Sequence, residues 1–119
     1  MKKSPQDHLK KILKGQLDPA MNFNQKVWAL TARIPKGQVT TYAAIARALN
    51  SKAYRAVGQA LHNNPYAPKV PCHRVVGSNG KLTGFAQGLE RKQQMLEGEG
   101  VTISKGKVPL NDTGIYEPA

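Results

Sequence analysis

Residues 41–62, TYAAIARALNSKAYRAVGQALH, read as two short helices joined by a tight polar turn. Thr41 offers its hydroxyl at the N-cap of a helix over residues 42–49, where Ala43, Ala44, Ile45, Ala46, Ala48 and Leu49 are small enough to pack closely. Asn50 and Ser51 make the turn. Residues 52–62 form the second helix, with Val57, Ala60 and Leu61 facing inward and Lys52, Arg55, Gln59 and His62 facing outward. The pair predicts a helix-turn-helix whose second member shows cations and amides to a partner.

The flanking sequence builds a domain around that unit. Apolar residues recur at helical spacing over residues 23–34, and Pro35-Lys36-Gly37 closes the segment. Ahead of it His8, Leu9, Ile12 and Leu13 mark a short amphipathic helix that Gly15 and Pro19 stop. Val39-Thr40-Thr41 is a short β-branched entry to the helix pair. Beyond the pair, residues 63–68 hold two asparagines and two prolines and predict a loop. Residues 70–76 read as a strand, Ser78-Asn79-Gly80 as a hairpin turn, and residues 81–83 as a short returning wing strand. Gly84, Ala86 and Gly88 predict a loop where backbone can approach a ligand. A helix over residues 89–97, anchored by Leu89 and Leu96 with Met95 beside them, and a small strand over residues 101–103 follow. With 119 residues there is room for one modest core. The expected organisation is a basic extension over residues 1–22, a domain over 23–103 and a loosely ordered tail over 104–119. The fold class is mostly α with a small β component, of winged helix-turn-helix type.

Eighteen Lys and Arg against seven Asp and Glu give a net charge of +11. No acidic residue lies between Asp18 and Glu90, a span that includes Lys26, Arg33, Lys36, Arg47, Lys52, Arg55, Lys69, Arg74 and Lys81. Ordinary surfaces mix the two signs, so this one is suited to a polyanion, and nucleic acid phosphates are the first expectation.

Cys72 is the only cysteine, and it sits in Val70-Pro71-Cys72-His73-Arg74-Val75-Val76 with a histidine directly after it. A thiol becomes a good nucleophile on losing its proton, and a neighbouring imidazole is the usual side chain to take it. The other reading of a lone cysteine is a small buried hydrophobe. One thiol excludes an intramolecular disulfide and a Cys-rich zinc site, and three scattered histidines assemble no metal site, so no cofactor is expected. No apolar run is long enough for a signal peptide or a membrane span, so the reading is a cytoplasmic protein.

Taken together, Gly37-Gln38-Val39-Thr40-Thr41-Tyr42, Tyr54-Arg55-Ala56-Val57-Gly58, Asn64-Pro65, Pro71-Cys72-His73-Arg74-Val75-Val76, the loop over residues 84–89 and Glu99 resemble the DNA-binding, active domain of the O6-alkylguanine-DNA alkyltransferases. The resemblance covers residues 23–100. It implies a protein that extrudes the damaged base from duplex DNA and moves the O6-alkyl group irreversibly to its own cysteine, one transfer per molecule. In that scheme Cys72 is the nucleophile, His73 the base acting through a water, and Glu99 the group that orients the imidazole. Tyr42 donates to the departing purine and Asn64 braces the turn beside the active-site strand. Arg55 takes the vacated place of the flipped base, and Thr41, Lys52, Tyr54, Ala56 and Gln59 share the DNA contact. Leu61, Pro68 and Phe85 wall the alkyl pocket, the Ala86 amide meets guanine O6, and the carbonyls of Cys72 and Val75 receive the exocyclic amine.

The chain departs from the family pattern at three places. Only about 22 residues precede the match, where full-length members carry a further amino-terminal domain. Phe85 stands where tyrosine is frequent, and Ala86 where serine or arginine is. Gln87 fills a variable position at the pocket lip, and its bulk disfavours benzyl-sized adducts.

The implied partner is double-stranded DNA carrying O6-alkylguanine, met by a monomer, without a membrane, in the cytoplasm at the nucleoid or in a nucleus. A first alternative is a damage sensor that binds the lesion without chemistry and recruits excision-repair proteins; such relatives have Trp or Ala in place of the cysteine. A second is a winged-helix transcription regulator, which would read base edges and dimerise on repeated half-sites.

Overall fold

The computed structural model describes residues 5–85 and 87–118, with side chains described from His8 onward. The elements run α1 (Pro5–Leu13), α2 (Phe23–Ala32), β1 (Thr40–Thr41), α3 (Tyr42–Ala48), α4 (Tyr54–His62), a 3₁₀ turn (Cys72–Arg74), β2 (Val75–Val76), α5 (Leu89–Gly98) and the single-turn α6 (Leu110–Thr113). The mostly helical fold class with a small sheet is as expected. Ala86 lies outside the described residues.

Local chemistry sets the helix ends. The Asn22 side chain accepts from the Gln25 amide and the Gln25 side chain accepts from the Asn22 amide, both at 2.9 Å, a capping box that starts α2. Thr41 Oγ1 accepts from the Ala44 amide at 3.0 Å and starts α3, worth about 1 kcal/mol for such a cap. The second helix of the pair begins at Tyr54, two residues later than its pattern predicts. Ser51 Oγ accepts the Ala53 amide at 3.0 Å, and this local bond holds residues 51–53 in a turn that competes with helix.

The helix pair packs as its apolar stripe requires. Val57, Ala60 and Leu61 of α4 meet Val27, Leu30 and Ile34, Ile45 and Ala46 of α3, and Val75 in the main core. Trp28 Nε1 donates to the Ala60 carbonyl at 2.8 Å and fixes α2 across α4. α1 packs on α2 around Ile12, Met21, Ala29 and Val70.

Expectations are corrected in four regions of the chain. First, residues 70–76 are not one strand. Pro71 has no amide hydrogen to give a sheet, the Cys72 amide bonds the Val70 carbonyl at 2.9 Å, and the Arg74 amide bonds the Pro71 carbonyl at 2.9 Å, so the cysteine rides a tight turn. Only Val75 and Val76 are extended, and they pair in parallel with Thr40 and Thr41. Second, the wing does not fold back on β2. The Gly77 amide bonds the Lys81 carbonyl to close the turn, but Lys81 bridges to Lys107 and the Leu82 amide reaches the Gly106 carbonyl.

Third, the two predicted α5 anchors behave differently. Leu96 is fully buried, whereas Leu89 is 48 % exposed, and the inward position between them is held by Lys92. Residues 101–103 form no strand, although Val101 joins a second core with Val39, Val76, Leu82, Leu96 and Val108. Fourth, the segment from residue 104 to 118, expected to be loosely ordered, is packed along the domain. Val108 is buried, the Tyr116 amide bonds the Val39 carbonyl at 2.8 Å, and Arg33 donates to both the Gly15 carbonyl (2.7 Å) and the Pro118 carbonyl (2.6 Å).

Gly80 is where that packing is tightest. It has φ +83°, and a Cβ there would stand 2.0 Å from the Val108 carbonyl oxygen, which the Val108–Gly80 backbone bond holds in place. Gly106, at φ +75°, has open space where its Cβ would be. Gly80→Ala is therefore expected to cost roughly 3 kcal/mol or more, combining left-handed strain with a backbone clash. Gly106→Ala carries the strain alone, about 1–2 kcal/mol. Urea unfolding of the two variants checks the difference, and equal losses would remove the assigned clash.

Candidate active site

The 3₁₀ turn presents Cys72 to a pocket of about 120 Å³ lined by Tyr42, Leu61, His62, Asn64, Ala67, Gly84, Phe85 and Gln87. Part of the wall is set by elements already described. Tyr42 opens α3 directly after β1, and β1 is paired with β2, which leaves the cysteine turn. Leu61 and His62 end α4. Asn64 Nδ2 donates to the Val70 carbonyl at 2.9 Å while its Oδ1 accepts the Tyr66 amide at 2.9 Å, so this side chain braces the loop that leads into Cys72.

Behind the turn lies a network of charged side chains. His73 is buried, and its Nε2 is 3.0 Å from Glu99 Oε2. Arg74 grips the same carboxylate with Nε on Oε1 at 2.9 Å and Nη2 on Oε2 at 2.7 Å, and its Nη1 donates to the Ile34 carbonyl at 2.7 Å. Partial burial pushes the Glu99 carboxyl up, but the hydrogen bonds and charges of Arg74 and His73 outweigh it and hold the group at about 2. Glu99 is thus an anion at neutral pH and can only accept. His73 must then carry its proton on Nε2 when neutral, which leaves Nδ1 as the acceptor. Burial lowers the imidazole below its ordinary range, against the hydrogen bond and charge of Glu99, so the neutral form dominates at neutral pH. The arrangement is a pocket-lining thiol, a neighbouring imidazole with a free acceptor nitrogen and a carboxylate that holds that imidazole, itself clamped by Arg74.

On the other side of the pocket, Tyr42 Oη donates to the Thr83 carbonyl at 3.2 Å, and Thr83 Oγ1 donates to Tyr42 Oη at 3.3 Å. Burial raises the phenol above its ordinary value, opposed by the Thr83 hydrogen bond, so it stays a donor at any physiological pH. Gly84, at φ +56°, passes close to that hydroxyl; a Cβ there would stand 3.7 Å from it. The pocket shares Tyr42, His62 and Gly84 with an open groove of about 500 Å³, whose other walls are Tyr54, Arg55, Gly58, Gln59 and Thr83.

Most of the sequence-derived site residues meet here. Tyr42, Leu61, Asn64, Cys72, Phe85 and Gln87 line the pocket. Lys52, Tyr54, Arg55, Ala56 and Gln59 are exposed at the start and along the outer side of α4. Three residues are placed otherwise. Thr41 is buried, its hydroxyl used as the cap of α3. Pro68 is exposed and off the pocket wall, where Ala67 stands instead. Val75 is fully buried behind the pocket, and its carbonyl already accepts from Lys92 at 2.6 Å. The Ala86 amide lies outside the described residues.

Sequence reasoning missed Arg74 as the clamp on Glu99, and Lys92 altogether. The signal for Lys92 was its position: with Leu89 and Leu96 it occupies spacing that should form the inward stripe of α5. Among the described residues no three His, Cys, Asp or Glu side chains come together to hold a metal, and no helix is long and apolar enough to cross a membrane.

Comparison with known proteins gives this site its relatives. The family described as 6-O-methylguanine DNA methyltransferase, DNA binding domain, matches residues 22–101. A methylated-DNA–protein-cysteine methyltransferase of Methanosarcina mazei is 53 % identical over 76 residues, 63 % of this chain and 48 % of the relative. The chain spans about half the length of the curated relatives it matches. Among solved structures, Mycobacterium tuberculosis OGT in complex with DNA superposes with a TM-score of 0.64 at 41 % identity, over 78 % of this chain and 63 % of that one. S. pombe Atl1, in complex with damaged DNA containing O6-carboxymethylguanine, superposes with a TM-score of 0.66 at 27 % identity, over 98 % of this chain and all of that one. A single-cysteine helix-turn-helix domain matched along residues 22–101 belongs to the 6-O-methylguanine DNA methyltransferase family.

Proposed function

We propose that the protein repairs O6-alkylguanine in double-stranded DNA by transferring the alkyl group to Cys72, once per molecule, acting as a monomer wherever the DNA is held. The observation that carries this reading is a lone cysteine in a small pocket, backed by a neutral histidine whose free acceptor nitrogen is set by an ionised glutamate. The pocket opens onto a groove edged by the outward side of α4.

Base extrusion comes first, because the O6-alkyl carbon is out of reach inside the stack. Arg55, exposed on the first turn of α4 and lining the groove, fills the space the base leaves, while Lys52, Tyr54, Ala56 and Gln59 hold the duplex. Binding of this kind reads backbone and shape, as suits a lesion found in any sequence. The basic span between Asp18 and Glu90 supplies the phosphate attraction.

The chemical step balances without a cofactor. The Cys72 proton passes to His73 Nδ1 through a bridging water, and Glu99 stabilises the imidazolium that results. The thiolate sulfur attacks the alkyl carbon; an S–C bond forms and the C–O6 bond breaks with its electron pair staying on the purine oxygen. Tyr42 turns its one O–H from the Thr83 carbonyl to the departing purine, keeping the Thr83 hydroxyl as its donor, and the proton taken from the thiol restores neutral guanine. A thioether has no ready leaving path, so the protein is consumed. The pocket of about 120 Å³, lidded by Phe85 and Gln87, favours methyl-sized groups over benzyl-sized ones.

The match with Atl1 along nearly the whole chain favours a second reading, a sensor that binds the same lesion and recruits excision-repair proteins. Cys72 separates the two. Intact-protein mass spectrometry after incubation with an O6-methylguanine duplex is expected to show a gain of one methylene, mapped to Cys72 and absent in Cys72→Ala. Lesion-selective binding with no gain would establish the sensor. Arg55→Ala is expected to slow transfer from the duplex on the order of 10- to 100-fold, the range of a lost charge-assisted contact. Transfer from the free modified base needs no extrusion and should slow far less. Equal slowing of both would remove Arg55 from the flipping step.

A further inference from the structure

Lysine is among the residues least often fully buried unless it is paired, yet Lys92 is 1 % exposed. Its Nζ donates to the Val75 carbonyl at 2.6 Å and the Thr83 carbonyl at 2.8 Å, and stands 5.9 Å from the centroid of the Tyr42 ring. Three parts of the site therefore meet on one ammonium. They are the strand that leaves the cysteine turn, the loop whose next residues Gly84 and Phe85 line the pocket, and the tyrosine whose hydroxyl bonds the same Thr83 carbonyl. An ammonium below an aromatic face is an attractive cation–π arrangement, stronger where water is excluded.

Both hydrogen-bond partners of the Lys92 ammonium among the described residues are main-chain carbonyls, and neither is a carboxylate. The ionisable groups that act on it or feel it from the elements packed against α5 are Cys72 and His73 on the 3₁₀ turn and Tyr42 on α3. Burial pulls the ammonium down to about 8, while the field of Cys72 works the other way. At neutral pH the side chain is a buried cation that gains its counter-charge when the thiol ionises.

We propose that Lys92 is a positioning residue for the transfer: its ammonium ties the loop over the pocket and Tyr42 to the strand after Cys72, and its charge offsets the thiolate. This rests on the alkyl-transfer reading above. The lysine keeps its proton throughout, while the sulfur gains the carbon and the purine oxygen keeps the electron pair.

Single-turnover transfer from saturating O6-methylguanine duplex, followed from about pH 6 to pH 10 in the wild type, Lys92→Arg and Lys92→Met, tests it. Circular dichroism of each protein establishes folding. Wild-type rates should fall about tenfold per unit above roughly pH 8, as the ammonium is lost. The neighbours cannot supply that limb, since His73 titrates below its ordinary range and Tyr42 above its own. Lys92→Arg, charged throughout, should lack the alkaline fall, and Lys92→Met should lack it and be slower at pH 7 by on the order of tenfold or more. A wild-type profile without an alkaline fall, or folded Lys92→Met at wild-type rates, would overturn the proposal.

If the wild type binds the lesion and transfers nothing, the alkyl-transfer reading fails instead. Lys92 is then judged on carboxamidomethylation of Cys72, the only thiol, by iodoacetamide at pH 7. Slower modification in folded Lys92→Met supports the charge pairing, and an unchanged rate overturns it.

Discussion

Two residue pairs of parallel β structure, Thr40 with Val75 and Thr41 with Val76, hold the site together. On one strand the chain passes straight from Thr41 into α3, so pairing fixes Tyr42. On the other, Val75 follows the turn that carries Cys72, so the same pairing fixes the thiol. A two-stranded sheet this short is not stable alone. It persists because Val75 is part of the core beneath the helix pair and Val76 and Val39 belong to the second core under α5. Cys72 and Tyr42 are thus registered by backbone pairing between segments more than thirty residues apart.

Charge around the thiol is arranged in two layers that meet at the turn. Arg74, Glu99 and His73 form one, in which a forked guanidinium keeps the carboxylate ionised and the carboxylate fixes the imidazole tautomer. Lys92, Thr83 and Tyr42 form the other, in which a buried ammonium anchors the carbonyl that also accepts a hydrogen bond from the phenol. Both use main-chain carbonyls of neighbouring segments, Ile34 in the first and Val75 in the second, so the site is stitched to the fold and not only to itself. Arg33 extends the same device to the periphery, tying residues 15 and 118 to the end of α2.

The helix pair was legible in the sequence because its signals are local: a Thr41 cap, a polar turn at Asn50 and Ser51, and an apolar stripe at Val57, Ala60 and Leu61 all act within a few residues. The gathering of Tyr42, Leu61, Asn64, Phe85 and Gln87 around Cys72 came from motif resemblance, since nothing in spacing alone joins residue 42 to residue 85. The turn at Cys72 was hidden by its neighbours. Val70, Val75 and Val76 give a β pattern, and only Pro71 hints that the ladder is interrupted. Lys92 was read past because a lysine in a charged stretch, Glu90-Arg91-Lys92, suggests solvent, whereas the carbonyls that satisfy it come from residues 75 and 83. The tail was missed for a similar reason: Val108, Tyr116 and Pro118 follow no period, and each is held by a partner distant in sequence, at Gly80, Val39 and Arg33.

In the proposed reaction one alkyl carbon moves from guanine oxygen to Cys72 sulfur and stays there. Carbon-13 NMR of a duplex with an isotopically labelled O6-methyl group, titrated with the protein, follows that carbon directly. The O-methyl resonance is expected to disappear in proportion to added protein and to be replaced, one for one, by an S-methylcysteine resonance that persists after the DNA is removed. An O-methyl resonance that only broadens on binding, and returns intact when the protein is stripped away, would contradict it.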